Sequence, residues 1–310
     1  MGKDFQFFPE QASRLAGEVD LLYYFLIGLT TFFTLLIFFL IYLFAVRYRR
    51  KSEEDAPKQI PGLLKLELAW SIIPFILAMI TFWWGASLYF EAYSAPPKDA
   101  IEVYVVGKQW MWHIQHPSGQ REINTLHVPL GQTVKLTMTT EDVIHSFYIP
   151  AFRVKKDVVP GRYTHLWFEA TKVGEYHLFC AEYCGTKHSE MIGTVVVMEP
   201  SDYQNWLSGN ESGETLASAG EKKFNQLGCS TCHANVAGAR GPSLVGVFGS
   251  EVKLADGRTV IADEGYLRES LLNPGAKVTA GYQPLMPTFQ GQINEAGILQ
   301  LTAYIKSLQR

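Results

Sequence analysis

Two short stretches of the chain contain residue types that bind metals. The first is "CAEYCGTKHSEM", residues 180–191, which brings two cysteines, a histidine and a methionine into one run. A disulfide between Cys180 and Cys184 would leave His188 and Met191 without a role. A zinc site would use both thiolates, His188 and a distant histidine, but zinc rarely takes a thioether.

Two kinds of copper site use this stretch differently. A mononuclear blue copper site has two histidines, one cysteine and a weak axial methionine, so it needs only one of the two thiolates. Two thiolates can instead each bridge two metals, and each metal then needs its own histidine. His188 supplies one of these histidines, and the other must come from an adjacent loop.

His145, in "EDVIHSFYIP", is the candidate for the second histidine. We expect it to end a strand, as the first ligand of a cupredoxin sandwich does. Five other histidines lie in predicted strands or turns without neighbouring ligand types, and we expect them to be structural. They are His113, His116, His127, His165 and His177.

The second metal-binding stretch is "CSTCH", residues 229–233. In an exported segment, Cys-x-x-Cys-His is typical of covalent attachment of a c-type haem. Cys229 and Cys232 would form thioethers with the two vinyl groups, and His233 would bind the iron. A thioredoxin-like redox pair is the alternative, but it requires a βαβ context that the surrounding sequence lacks.

The sixth iron ligand must come from elsewhere in the chain. Met286, in "QPLMPTF", is the only methionine after Cys232. Iron held by histidine and methionine has a raised potential and suits electron transfer rather than oxygen binding; the alternative is that Met286 only packs in the core. Residues 216–310 resemble a class I cytochrome c in the attachment motif, an N-terminal helix, the methionine loop and a C-terminal helix.

The composition of the chain indicates a membrane protein. Of its 310 residues, 47% are hydrophobic and 18% are charged, and two uncharged apolar runs cover residues 21–46 and 68–90. Each exceeds the roughly 20 residues with which a helix crosses a bilayer. The first run is too long for a cleaved signal peptide. The second contains Pro74, which a membrane helix tolerates; the alternative is a buried core helix.

Basic residues between the two runs predict the orientation. The N-terminal tail carries only Lys3 and Arg14, so the positive-inside rule places the connecting loop in the cytoplasm and the soluble part on the periplasmic or outer face. That compartment is oxidising, so two free cysteines in one loop would be at risk unless a metal holds them. The basic residues of the loop are Arg47, Arg49, Arg50, Lys51, Lys58 and Lys65.

The sequence after the apolar runs divides into three parts. Residues 96–200 contain short alternating runs of β-branched and aromatic residues, typical of a β-sandwich or Greek-key barrel. Residues 201–215 have the composition of a linker. Residues 216–310 follow a helical pattern, with Asn294 as N-cap of the last helix. The expected fold class is a multidomain membrane protein: a transmembrane hairpin within residues 1–95, an all-β cupredoxin-like sandwich and an all-α cytochrome c domain.

Paired motifs behind the helix hairpin carry a resemblance to a known family. "DVIHSFYIPAFRVKKDVVPGR" and "CAEYCGTKHSEM" resemble subunit II of the haem-copper cytochrome c oxidases, and every ligand position of the family's dinuclear CuA pattern is filled. The resemblance covers residues from about 20 to 200. The fused haem domain is that of the bacterial subtype that carries its own cytochrome c.

The resemblance implies a ligand set for two coppers. Two cysteines bridge the metals, a histidine and a weak methionine bind one copper, and a second histidine and a backbone carbonyl bind the other. The implied bridging residues are Cys180 and Cys184. His145 and Met191 are the implied ligands of one copper, and His188 and the carbonyl of Glu182 are those of the other. The Glu182 side chain matches the family's magnesium ligand at the interface with subunit I.

Two further positions resemble the family less specifically. Trp110, in "GKQWMWHI", falls where electrons enter towards CuA; the alternative is a strand tryptophan in the core. Glu67, in "LELAW", lies at the cytoplasmic start of the second helix, where the family has the mouth of a proton pathway. An ionisable side chain at a helix end can also simply extend to water.

The expected function is that of the subunit through which electrons enter a proton-pumping terminal oxidase in the bacterial plasma membrane. Electrons would pass from a donor cytochrome or respiratory complex to haem c, then to CuA, then to haem in subunit I. The expected partners are subunit I, other oxidase subunits and the lipid bilayer, and not nucleic acid. Oxygen would be reduced elsewhere, because the sequence contains no second haem site and no mononuclear oxygen-binding copper centre.

One alternative is a protein of another class, and two are subunits of related enzymes. A membrane-tethered electron carrier would need only one helix and would give Glu67 and Glu182 no role. The small subunit of a CuA-containing nitric oxide reductase is compatible with the same motifs. A quinol oxidase subunit is disfavoured, because that branch lacks the copper ligands found in this chain.

Overall fold

The structure is a computed structural model that forms two units. Arg14–Ala95 make up one unit, and the residues before and after them make up the other. Lys3 and Lys58, which contribute to the predicted orientation, lie outside the described residues, as do residues 210–214 of the predicted linker. The described residues are 8–52, 62–209, 215–236 and 238–308.

Two long helices make up the first unit. α1 spans Ala16–Arg47 and α2 spans Leu64–Tyr93, with Pro74 inside α2. At 1.5 Å per residue they are about 48 and 45 Å long, which exceeds the roughly 30 Å of a hydrocarbon core. They therefore extend beyond both predicted apolar runs. The most apolar window of each described helix contains no buried residue, so the second run is not a buried core helix.

A sandwich of two five-stranded sheets occupies residues 101–198, all of which are described. The first sheet has the strand order β3-β2-β1-β5-β8, and the second has the order β4-β10-β9-β6-β7. The first comprises β1 (Ile101–Lys108), β2 (Met111–Gln115), β3 (Arg121–Ile123), β5 (Thr133–Thr140) and β8 (Thr164–Glu169). The second comprises β4 (Thr125–Pro129), β6 (His145–Ile149), β7 (Val154–Val158), β9 (Gly174–Cys180) and β10 (Ile192–Met198).

The core of the sandwich follows from the period-two pattern of its strands. Apolar residues at alternating positions face inward between the two sheets, because successive side chains of a strand point to opposite faces of its sheet. The predicted cupredoxin-like sandwich is confirmed. Its fully buried side chains include Val103, Val105, Trp112, Leu136, Phe147 and Leu178.

The stretch predicted as a linker begins with a helix packed on the sandwich. α3 spans Pro200–Ser208, and proline at its first position suits a helix start. Trp206 stacks on His127 with ring centroids 4.5 Å apart, and the hydroxyl of Tyr203 lies 3.3 Å from Nδ1 of His116. Tyr203 and Trp206, three residues apart on one face of α3, therefore pack this helix on the sandwich although most of the segment is polar.

His116 and His127 share an acidic partner that the sequence pattern did not indicate. Nε2 of His116 lies 2.8 Å from one oxygen of Glu122, and Nδ1 of His127 lies 2.5 Å from the other. Both histidines thus help to fix α3 on the sandwich, which agrees with their predicted structural role.

The C-terminal part contains three α-helices, as its helical sequence pattern predicted. They are α4 (Leu216–Gln226), α5 (Glu264–Leu272) and α6 (Glu295–Ser307), and the side chain of Asn294 caps α6 by accepting a hydrogen bond from the amide of Gly297 at 3.0 Å. The described residues also include a hairpin of two three-residue strands, β11 (Glu251–Lys253) and β12 (Thr259–Ile261). Strands this short leave little period-two signal in a sequence, which explains the prediction of an all-α domain.

Gly220 allows α4 and α6 to cross closely. A Cβ at this position would lie 2.0 Å from the carbonyl oxygen of Gln300, which is backbone and cannot move aside cheaply. Gly220→Ala should therefore separate the helices and lower the local stability by about 1–3 kcal/mol or more. Hydrogen exchange of α4 and α6 amides in the full chain measures this loss.

Gly275→Ala is the matched control for this substitution. No atom lies within 4 Å of a Cβ built at Gly275, so its helices should exchange as in the wild type. Equal amide protection in the two variants would contradict the close-crossing interpretation.

Candidate metal centre

Two neighbouring strands bring the predicted metal ligands to one end of the sandwich. β9 ends at Cys180, and Cys180 is paired with Phe147 on β6. His145 begins β6, so the prediction that it ends a strand is wrong. The side chain nevertheless reaches the cysteine loop, because β6 and β9 are adjacent: Nδ1 of His145 lies 3.9 Å from Sγ of Cys180.

The other four predicted donor atoms lie around the two buried cysteine sulfurs. Sγ of Cys184 is 3.8 Å from Sγ of Cys180, 3.5 Å from Nδ1 of His188 and 3.8 Å from Sδ of Met191. Sγ of Cys180 is 3.2 Å from the carbonyl oxygen of Glu182. With His145 beside Cys180, the loop and its neighbour present two thiols, two imidazoles, a thioether and a carbonyl to one small volume.

The two cysteines are free thiols. Their sulfurs are 3.8 Å apart, whereas a disulfide requires about 2.05 Å. The disulfide alternative is therefore excluded in this structure. Met191 is fully buried against Cys184, so its thioether points at the thiols rather than at solvent.

The donors are spread more widely than the ligands of one zinc ion. Among the described residues, the donor atoms of His145, Cys180 and Cys184 all lie within 4.8 Å of one another. His188 falls outside this group, although it lies close to Cys184. Ligand bonds of about 2.0–2.3 Å place the donors of a tetrahedral ion roughly 3.3–3.8 Å apart. Two metal ions that share the two sulfurs fit this arrangement better.

The electrostatics of the thiol pair favour a bound cation. Burial opposes ionisation of Cys180, but hydrogen bonds from His145 and the backbone outweigh it and lower its pKa to about 6. Burial and the charge on Cys180 raise the pKa of Cys184 to about 12. The pair therefore loses one proton easily and the second only with difficulty. Metal cations beside the sulfurs supply the positive charge that keeps both as thiolates.

Asp142 orients His145 from behind, and the sequence analysis missed it. Its carboxylate accepts hydrogen bonds from Nε2 of His145 at 2.8 Å and from the backbone amide of Gln109 at 2.7 Å. Burial opposes ionisation of Asp142, but these bonds prevail and lower its pKa. The bond to Nε2 leaves Nδ1 of His145 to face Cys180. An acid three residues before a predicted ligand histidine was the available signal.

Trp110, in the turn between β1 and β2, contacts the loop that contains Cys184. It is half-buried there, so it is not a strand tryptophan in the core. Its Nε1 donates to the carbonyl of Cys184 at 3.2 Å, and Nε2 of Gln109 donates to the same oxygen at 2.7 Å. Gln109, which the sequence analysis did not select, thus helps to hold the cysteine loop.

The two predicted functional glutamates lie in different units. Glu182 has an exposed side chain next to the donor atoms, while its carbonyl faces Cys180. Glu67 lies in the first turn of α2 and is exposed. Glu182 therefore belongs to the metal site, and Glu67 belongs to the unit of the two long helices.

A second site lies in the C-terminal part, where the four predicted haem residues line one cavity of about 860 Å³. These residues are Cys229, Cys232, His233 and Met286. Nδ1 of His233 lies 2.8 Å from the carbonyl of Pro242, which places the proton on Nδ1 and leaves Nε2 able to bind a metal. A Cβ at Gly241 would lie 2.9 Å from Cε1 of His233, so a glycine is needed beside the ring. The cavity has the size and apolar lining of a cofactor site.

Comparison with known proteins identifies the helix pair and the sandwich. The family description "Cytochrome C oxidase subunit II, transmembrane domain" matches residues 3–84, and "Cytochrome C oxidase subunit II, periplasmic domain" matches residues 120–199. Cytochrome c oxidase subunit 2 of Alkalihalophilus pseudofirmus is 30% identical over 297 residues, which cover 89% of this chain and 83% of the relative. Cytochrome c oxidase subunit 2 of Thermostichus vulcanus is 29% identical over 276 residues, which cover 71% of this chain and 84% of the relative.

A solved structure is also similar to part of the chain. The crystal structure of the periplasmic domain of subunit II of cytochrome oxidase of Bradyrhizobium japonicum is 30% identical, with a TM-score of 0.37. It covers 38% of this chain and 98% of that one.

An apolar helix pair followed by a metal-binding β-sandwich defines a two-pass membrane protein of the respiratory oxidases. The chain belongs to the cytochrome c oxidase subunit II family. Its sandwich is the domain that binds the copper centre CuA in this family, and its relatives are subunits of a terminal oxidase. The predictions of family, fold class and membership in an enzyme complex are confirmed.

Asp142→Asn should weaken the copper site while the sandwich stays folded. The substitution removes the negative charge behind His145, which makes the imidazole a poorer ligand. Changes to such supporting groups lower metal affinity about 10–100-fold. Titration of the copper-loaded chain with a competing chelator measures this affinity.

Asp157→Asn is the control, because Asp157 accepts a hydrogen bond from Ser146, the neighbour of His145, without contacting a predicted ligand. Its copper affinity should match that of the wild type. An Asp142→Asn chain that held copper as tightly as Asp157→Asn would rule out the supporting role.

Proposed function

We propose that the chain is the subunit through which electrons enter a proton-pumping terminal oxidase, and that it carries haem c as well as CuA. The observation that carries the proposal is the convergence of four further donor atoms on two buried thiols. The cavity that collects all four predicted haem residues supports the second redox centre. Both sites belong to the same unit of the chain.

The copper site uses its residues in three roles. The thiolates of Cys180 and Cys184 would hold both metals, and the imidazoles of His145 and His188, which lie beside Cys180 and Cys184, would each bind one of them. Met191 and the carbonyl of Glu182 would be the weak ligands, and the family resemblance pairs Met191 with His145 and the carbonyl with His188. A bound CuA centre supplies one-electron transfer with little rearrangement. The buried, hydrogen-bonded surroundings tune its potential.

The haem site is assigned by the attachment motif and its supports. Cys229 and Cys232 would attach the porphyrin covalently, and Nε2 of His233 and the thioether of Met286 would bind its iron. The carbonyl of Pro242 fixes the tautomer and orientation of the His233 ring. Bound haem supplies one-electron chemistry, and histidine with methionine ligation suits electron transfer.

Three residues connect these sites to the rest of the oxidase. Trp110, whose indole contacts the carbonyl of Cys184, is the point where electrons approach the copper. Glu182 offers an exposed carboxylate for a magnesium ion shared with subunit I. Glu67 lies at the mouth of a proton pathway on the cytoplasmic side. The soluble part lies on the periplasmic face, where a donor cytochrome or respiratory complex reaches it.

Electron paramagnetic resonance on the purified native complex tests the proposal. One electron shared by two copper nuclei should give a seven-line hyperfine pattern, together with a low-spin c-type haem spectrum and oxygen consumption. A four-line signal, or zinc in place of copper, would contradict the dinuclear site. Rapid nitric oxide turnover without oxygen uptake would identify a nitric oxide reductase, and a chain that purifies without partners would be a tethered carrier.

Cys184→Ser should abolish the mixed-valence copper signal while the haem spectrum remains. Serine at this position cannot bridge two coppers with a thiolate, and Cys184 contacts three other donors. The copper signal and the haem absorbance are recorded on the same sample. A persisting seven-line signal would show that Cys184 is not a bridging ligand.

Met286→Ala should remove the sixth iron ligand and convert the haem from low spin to high spin, with a lowered potential. Absorbance spectroscopy and a redox titration measure both changes. Val236→Ala is the control, since Val236 is exposed and lies outside the lining of the cavity, and the substitution should leave both properties unchanged. An unchanged haem spectrum in Met286→Ala would assign the methionine to the core.

A further inference from the structure

The C-terminal domain packs on the outer face of the first sheet of the sandwich. Tyr104 and Val106 on β1 form one apolar cluster with Leu216 at the start of α4 and Leu299 on α6. All four side chains are buried. Tyr163, in the loop before β8, and Ala303 on α6 extend the cluster. The contact therefore joins two domains that are far apart in sequence.

Four charged side chains lie beside this apolar cluster. Nζ of Lys306, on α6, lies 2.7 Å from Glu102 on β1 and 2.7 Å from Glu264 on α5. Nζ of Lys135, on β5, lies 2.9 Å from Glu102 and 3.6 Å from Glu264. Each domain contributes one acid and one lysine, so the charges alternate around a ring that closes across the interface.

Neighbouring polar groups surround the charged ring, whose side chains are only partly exposed to solvent. The hydroxyl of Tyr104 lies 3.0 Å from Glu102 and 3.2 Å from Lys306, and Thr137 donates to Glu102 at 2.8 Å. Burial opposes ionisation of Glu102, but Lys306 and Lys135 outweigh it and lower its pKa to about 2. Buried charges of this kind are costly to leave unpaired.

A second polar contact extends the same interface. Nη1 of Arg268, on α5, donates to the carbonyl of Gly161 in the sandwich at 2.9 Å, while its other nitrogens bind Glu295 at the start of α6. The apolar cluster, the charge ring and this contact all require one mutual orientation of the two domains.

We propose that the ring of Glu102, Lys135, Glu264 and Lys306, the charge clamp, holds the C-terminal domain in one fixed position on the sandwich. The outer face of β1 and β5, together with the loop before β8, is thus a docking surface whose partner is this chain's own C-terminal domain, and not a separate protein. The domain then serves as a fixed relay instead of a mobile carrier on a tether. This last step rests on the proposed function, whereas the docking does not.

Hydroxyl-radical footprinting of the full chain in lipid nanodiscs, read by mass spectrometry, tests the clamp. In the wild type, Tyr104 and Leu299 should be protected, while the exposed Tyr183 is oxidised rapidly. Lys306→Met leaves two carboxylates facing Lys135 alone and should raise the oxidation rate of Tyr104 towards that of Tyr183. Lys306→Arg retains the charge and should restore most of the protection.

Controls separate undocking from unfolding. Phe224 and Leu271 belong to the internal core of the C-terminal domain, so undocking should leave them protected. Arg258→Met removes a cation whose partner is Asp256 in an exposed turn, and Tyr104 should stay protected in it. If Lys306→Met also exposes Phe224, Glu102→Gln decides, because that substitution lies outside the C-terminal domain.

Two outcomes would overturn the clamp. Wild-type Tyr104 oxidised as fast as Tyr183 would show that the domain is not docked. Protection of Tyr104 that is unchanged in both Lys306→Met and Glu102→Gln would show that the ring does not hold the domain. Haem absorbance of the same samples reports separately on the proposed function: a wild-type chain without haem but with protected Tyr104 would reject the relay and retain the docking.

Discussion

The mutual repulsion of two buried thiolates is the constraint on which the metal site depends. Sulfurs 3.8 Å apart in a half-dry pocket cannot both ionise without nearby positive charge. Burial and the neighbouring charge raise the pKa of Cys184 to about 12, while His145 and the backbone favour ionisation of Cys180. The pair is therefore stable as two thiolates only around metal cations, and the surrounding residues are arranged to hold those cations.

The sandwich supplies the rigidity that this arrangement needs. His145 and Cys180 occupy adjoining strands of one sheet, so their separation is set by strand pairing rather than by a flexible loop. The cysteine loop is tied down from the other sheet, because the side chains of Gln109 and Trp110 both donate to the carbonyl of Cys184. Asp142 links the two supports, since it accepts from both His145 and the amide of Gln109.

Local chemistry and local periodicity account for what could be predicted. The donor residues are of uncommon types and lie close together in the sequence. The long apolar runs and the N-cap at Asn294 are signals that lie within a single helix. The remaining features depend on tertiary contacts. Trp206 acts through His127, some eighty positions away, and Glu102 meets Lys306 at a separation of 204 residues. Such pairs leave no pattern in a single sequence, and for the same reason His145 was placed at the wrong end of its strand.

α6 is buried on two sides, one within the C-terminal domain and one against the sandwich. Leu301 and Ile305 line the cofactor cavity, while Leu299, Ala303 and Lys306 face the sandwich. Of the thirteen residues of this helix, all of them described, Ser307 alone is exposed. A freely diffusing protein keeps a polar stripe on a helix of this kind. α6 of this domain has no such stripe. A gene split before α4 would therefore release a protein with an exposed apolar surface and poor solubility. This makes the fusion hard to reverse in evolution.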